Sequence, residues 1–157
     1  MTDLAVLWHD VECGDYREDL ALWRELAGAG PVLDVGAGTG RVTLDLAAAG
    51  VPVVALDSDA ALLAALDERA AGLPVETLCA DARAFDLGAA TFPAIFVPMQ
   101  TLQLLGGADG RAAFLRCART HRPPVRPPRR PPRTRRQRPP RPPPPKSPRS
   151  VTVGLVG

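Results

Sequence analysis

The 157-residue sequence predicts an α/β domain with a parallel sheet, and three observations carry that prediction. Short, continuously apolar runs (PVLDV, VPVVALD, LPVETLC, FPAIFVPM) alternate with amphipathic segments of helical period. Strands apolar on both faces are expected where helices cover both sides of the sheet. Glycines stop the intervening helices at regular positions, and this order persists as far as residue 119.

Taken in order, DYREDLALWRELAGAG reads as a first helix. Asp15 is placed to accept from its first turn, Glu18 three residues on is the reciprocal partner, and Gly28 suits the last turn. PVLDV is a strand, VLDVGAGTGRV holds a glycine-rich turn, and RVTLDLAAAG is a helix stopped by Gly50. VPVVALD is a second strand ending in Asp57. SDAALLAALDERAAG is a helix with Ser58 or Asp59 as its cap and Gly72 as its stop. LPVETLC, FPAIFVPM and DGRAAFLRCAR complete the pattern as two strands and a helix.

From His121 this pattern ends. Residues 121–150 contain 13 of the 18 prolines, and proline removes a backbone donor and disfavours helix at the preceding residue. The expectation is therefore a folded domain over 1–119 and a disordered Pro/Arg-rich tail over 120–157, with VTVGLVG at its end a weak strand candidate. The formal charge of +2 hides a division between these parts. All seventeen acidic residues lie between Asp3 and Asp109, whereas ten arginines and Lys146 lie beyond residue 120. An acidic domain repels nucleic acid, which leaves only non-specific tail contacts. Cys13, Cys79 and Cys117 have no metal-ligand spacing, and Cys79 at the end of an apolar run reads as a buried thiol. No metal is expected. An odd cysteine count and the lack of a long apolar N-terminal run exclude a disulfide scaffold and a membrane span, and point to the cytoplasm.

The glycine turn admits several nucleotides. A P-loop needs Gly-Lys-Ser/Thr, but Arg41 and Val42 follow Gly40. A dinucleotide fingerprint needs a third glycine where Arg41 stands, which weakens an NAD-dependent oxidoreductase without removing it. Asp34, Asp57 and Asp81 fall at three successive strand ends. That set is rich in acceptors, has no basic clamp, and suits a nucleoside carrying a cationic amino acid.

With these residues the sequence resembles the class I S-adenosylmethionine-dependent methyltransferases of the small methyltransferase-domain type. VLDVGAGTGRV matches the family's glycine motif, VVALDSD its ribose-binding acid, ADAR its adenine motif and FPAIFVPMQ its fourth-strand motif, with Pro93 where an Asp is common. The resemblance covers about residues 8–119 and implies an incomplete doubly wound, Rossmann-like sheet in which strands 1–4 are present. It implies S-adenosyl-L-methionine as cofactor and a small-molecule methyl acceptor. Asp34, Gly36, Ala37, Gly38 and Gly40 would cradle the methionine portion, Asp57 and Ser58 the ribose, and Asp81 and Ala82 the adenine. Met99 and Gln100 would line the reactive end, and Tyr16 would form part of a lid.

Simpler readings stand beside these. Asp59 serves as a helix cap, Tyr16 and Met99 as packing, and His9, the one histidine before residue 121, as a structural residue or a base. No catalytic residue is marked, and the acceptor atom and oligomeric state stay open. Family members continue with an HLxPGG-like turn and a fifth strand, but RCARTHRPPVRPP follows here. The tail thus reads as a shifted frame of a G+C-rich gene, which the nucleotide sequence around codon 118 would test. With strand five absent, weak turnover is expected. A native tail would instead suggest a non-catalytic binding protein using basic residues on RNA or acidic surfaces.

Overall fold

The computed structural model describes residues 4–124. The predicted tail lies outside the described residues from 125 onward.

Four parallel strands form one sheet in the order β3-β2-β1-β4. They are β1 (Val32–Val35), β2 (Val53–Asp57), β3 (Val75–Cys79) and β4 (Ala94–Phe96). In-register pairing sets Asp34 opposite Ala55 on one side and Phe96 on the other. The helices are α1 (Leu4–Cys13), α2 (Leu20–Ala27), α3 (Arg41–Ala48), α4 (Ala60–Arg69), α5 (Thr101–Leu104) and α6 (Gly107–Thr120).

The period-2 alternation of the strands divides the core between the two faces. Leu33, Val35 and Leu56 pack with Phe85, Phe92, Leu105 and Phe114 on the α6 side. Val32, Val53 and Phe96 pack with Leu20, Val42 and Leu46 of α2 and α3, while Ala55 meets Leu63 and Leu66 of α4. Asp34 shares this second face, so its carboxylate is directed at α3. The expected sandwich of helices on both faces is therefore present.

The α4 cap is as expected, with Asp59 accepting from Ala61 N–H (2.9 Å) and Leu62 N–H (3.3 Å). The start of α2 is a correction. The helix begins at Leu20, not after Asp15, and Asp19 occupies its N-terminal boundary without capping it. Its carboxylate is drawn away by charge-assisted bonds to Arg41 and by Trp23 Nε1–H (2.8 Å). A second correction concerns Cys79, which is exposed. It closes β3, an edge strand, where no further strand covers it among the described residues.

His121 is 2 % exposed although composition groups it with the tail. Its ring stacks on Phe85 at 5.3 Å. Nδ1 lies 3.0 Å from Ala90 O and Nε2 accepts from Leu87 N–H at 3.3 Å, which fixes the proton on Nδ1. The end of α6 is thereby tied to the loop that precedes β4.

Candidate functional site

The chain runs outward from β1 through β2 to β3, then crosses back to place β4 on the other side of β1. Loops leaving β1 and β4 consequently diverge, and a crevice opens beyond the carboxyl ends of the strands. It has two lobes. One, about 360 Å³, is bordered by Asp34, Gly36, Ala37, Met99 and Gln100. The other, about 400 Å³, is bordered by Asp57, Ser58, Asp81 and Ala82. Both lobes share His9, Gly36, Thr101 and Leu104, so these residues stand between them.

The glycine turn reaches this crevice by close backbone approach. Gly36 and Gly38 have φ of 76° and 56°, a region that L side chains rarely adopt. A Cβ on Gly36 would meet Thr101 Oγ1 at 2.3 Å, and one on Gly38 would meet His9 Nε2 at 2.1 Å. Four N–H groups of the turn are spent within the protein. Gly36 N–H (2.7 Å) and Ala37 N–H (3.1 Å) donate to Leu56 O, and Gly40 N–H donates to Ala37 O at 2.9 Å. Gly38 N–H donates to Asp57 Oδ2 at 2.8 Å. These donors are not directed at an anion as they are in a phosphate-binding turn.

The acceptors are directed into the crevice instead. Asp34 is 1 % exposed; its Oδ2 accepts from Thr43 Oγ1–H at 2.7 Å, while its Oδ1 is buried with no partner. Burial pushes the carboxyl up to about 6, only partly countered by Thr43 and by the nearby Arg41 charge. Asp57 uses Oδ2 for Gly38 and Oδ1 for Asp59 N–H (3.0 Å), which leaves lone pairs on both oxygens. Asp81 is held by Arg83 through its side chain and its N–H, and this holds its carboxyl down at about 2.

Three expected residues border neither lobe, and one of them, Gly38, is packed against the His9 ring. Gly40 lies behind the turn, where a Cβ would strike Leu66 Cδ1 at 2.3 Å, so its small size serves packing against α4. Tyr16 is 45 % exposed and its ring lies 5.3 Å from the Arg41 guanidinium, which also donates to Tyr16 O. Other lining residues lack a sequence signal of their own. Glu12 and Cys13 reach the first lobe from α1, Arg41 from the start of α3 and Thr101 from α5. Among the described residues there is no cluster able to hold a metal ion and no helix long and apolar enough to cross a membrane.

An open α/β sheet with a donor-poor glycine turn and acids at three strand ends defines a nucleoside-binding domain for a cationic ligand. The methyltransferase-domain family matches the chain over residues 32–124. A methyltransferase from Streptomyces caelestis, CcbJ, is similar at 36 % identity and TM-score 0.62, over 68 % of this chain and 47 % of its own. An amino pentose methyltransferase from Micromonospora echinaspora, involved in calicheamicin biosynthesis, is similar at 32 % identity and TM-score 0.56, over 74 % of this chain and 47 % of its own. The glycopeptide N-methyltransferase MtfA, whose structure is known with S-adenosyl-L-methionine, matches at 27 % identity and TM-score 0.59, over 70 % of this chain and 52 % of its own. No curated protein matches. The chain spans about half the length of these solved structures. It belongs to the class I S-adenosylmethionine-dependent methyltransferase-domain family.

Proposed function

We propose that the crevice binds S-adenosyl-L-methionine and presents its methyl group to a small-molecule acceptor. The observation that carries this reading is Asp34 Oδ1, buried and unpartnered at the crevice wall beside a turn with four donors already engaged. Such a site needs a cationic donor, not a pyrophosphate. The ammonium of the methionine portion supplies one, and its arrival would hold Asp34 ionised.

The remaining residues fit the same ligand. The unused lone pairs of Asp57 suit a ribose diol, and Ser58 borders the same lobe. Asp81 and Ala82 lie where the adenine would rest, and the adenine amine would compete with Arg83 for the Asp81 carboxylate. Met99, held at a φ of 56°, and Gln100 border the lobe that takes the methionine end and the acceptor. When bound, the cofactor supplies a sulfonium-activated methyl group. The residues then have to align the acceptor and exclude water. The acceptors named for two similar structures, a glycopeptide and an amino pentose, support a small organic acceptor.

Calorimetric titration tests the reading. S-adenosyl-L-methionine is expected to bind and NAD not to, and Asp34→Ala should weaken cofactor binding at least ~100-fold, the loss of a charged partner in a buried site. NAD binding with equal or greater affinity would refute it.

A further inference from the structure

We propose that His9 is the proton acceptor of the site, held in the working tautomer by Thr39, Asp10 and Arg69, and that the methyl acceptor therefore arrives carrying a proton, as a hydroxyl or an ammonium. This rests on the methyl-transfer reading above.

The proton assignment follows from the hydrogen bonds. Arg69 donates to both oxygens of Asp10, at 2.9 and 2.7 Å, and together with Thr39 holds that carboxyl down at about 2. An ionised carboxylate can only accept, so the single hydroxyl proton of Thr39 goes to Asp10 Oδ1 (2.7 Å). Thr39 Oγ1 is left as an acceptor toward His9 Nδ1, 3.1 Å away. His9 thus carries a proton on Nδ1, which leaves the lone pair on Nε2. No donor among the described residues bonds Nε2. Its place is known from Gly38, where an added Cβ would come within 2.1 Å of it. His9 borders both lobes, and its Nε2 lies against Gly38 of the turn beside them.

Charged side chains of both signs border the same lobes. Glu12, Asp34 and Arg41 border the first lobe with His9, and Asp57, Asp81 and Arg83 the second. The two guanidiniums are already paired, Arg41 with Asp19 and Arg83 with Asp81. In the reaction His9 Nε2 takes the acceptor's proton, from an ammonium before attack and from a hydroxyl as attack proceeds. The acceptor's lone pair forms the new bond to the methyl carbon, and the carbon–sulfur bond breaks with its electrons left on sulfur. Asp10 then stabilises the imidazolium through Thr39, and bulk water takes the proton after product leaves.

A structural histidine that only pins α1 to the turn would make the same Thr39 contact and show the same tautomer, so the test reads turnover and its pH profile beside the ring nitrogens. ¹⁵N NMR of the ligand-free chain should show the neutral ring with its proton on Nδ1 and none on Nε2, and Thr39→Val should shift it toward the Nε2–H tautomer. An Nε2–H tautomer in the wild type, or no change in Thr39→Val, overturns the proposal. In parallel, methylation of a panel of small alcohols and amines by His9→Gln should fall ~100-fold or more and lose its dependence on imidazole ionisation, as expected for a general base. Retained turnover with an unaltered pH profile overturns it. Failure of the wild type to bind S-adenosyl-L-methionine in calorimetry would refute the cofactor reading and leave the tautomer result standing.

Discussion

Asp34→Asn separates what the buried carboxylate costs the fold from what it does for a ligand. Burial raises the Asp34 carboxyl from 3.8 to about 6. At about 1.4 kcal/mol per pH unit, a rise of this size corresponds to about 3 kcal/mol favouring the protonated form in the folded state. The folded chain thus binds more protons at this position than the unfolded chain between pH ~4 and ~6. Stability from this group is greatest below the unfolded value, falls as pH rises through that window, and levels off above about 6. Asparagine cannot ionise and removes the slope. Its carbonyl can still accept from Thr43, but its amide is then buried without an acceptor at the Oδ1 position, at about 1–3 kcal/mol. At pH 7 the two effects nearly cancel, and the variant should be within about 2 kcal/mol of the wild type. Urea unfolding at half-unit steps from pH 4 to 7 measures this. Asp10 and Asp81, held down at about 2, add a slope of opposite sign at the acid end of this window, but it is common to wild type and variant and cancels in their difference. An undiminished pH 4–6 slope in the variant would refute the reasoning. The ligand side has the opposite sign. A cation binds the ionised carboxylate, so wild-type affinity for S-adenosyl-L-methionine should rise up to about pH 6 and then flatten, and Asp34→Asn should lose both the affinity and its pH dependence.

Gly36→Ala should abolish cofactor binding and cost about 1–3 kcal/mol of stability, because its Cβ meets Thr101 within 2.9 Å and its φ of 76° is strained for alanine; calorimetry and thermal melts measure the two effects. Asp59→Ala removes the acceptor for Ala61 and Leu62 N–H and should cost about 1 kcal/mol with cofactor affinity unchanged, which distinguishes a helix cap from its neighbour Asp57. His121→Ala leaves Leu87 N–H and Ala90 O without their side-chain partner and opens a cavity beside Phe85, and should cost about 3 kcal/mol in chemical denaturation.

What the sequence made legible follows from which interactions are local. β1 and β2 were readable because each is a short apolar run covered on both faces, whereas β3, at the sheet edge, has no buried residue and was readable from its place in the alternation. The helices α3, α4 and α6 were readable because apolar period and end signals coincide in them. The helix α1 was not. Leu4, Leu7, Trp8 and Val11 recur at helical spacing, yet they are exposed, and the helix turns Val6 inward and His9 toward the crevice. A reading that assigns the apolar stripe to the core has no use for this segment. The misplaced start of α2 has a similar origin. Asp15 and Glu18 offer a local capping pattern, but Asp19 bonds Arg41, twenty-two residues away, and the chain folds around that partner. Strand order was likewise not written locally, and with it went the exposure of Cys79 on an edge strand.

The site shows the same division within one residue type. Asp34, Asp57 and Asp81 were placed correctly at three strand ends, because a strand end is a local feature. Their chemical states are not local. Asp34 faces α3, where burial outweighs Thr43 and the nearby Arg41 charge and raises it, Asp57 spends part of its capacity holding Gly38 and Asp59, and Asp81 is paired with Arg83 two residues on. A motif that scores the three as equivalent acids gives the positions of the ligand's contacts and leaves their strengths undetermined. The difference bears on affinity. In the proposed site Asp34 Oδ1, without a partner among the described residues, would gain one when a cation arrives, whereas Asp81 would have to release a guanidinium before accepting from an amine. The proposed site thus predicts that the methionine end of the ligand contributes more of the binding energy than the adenine end. Removing the ammonium from the ligand should weaken binding more than removing the adenine amine.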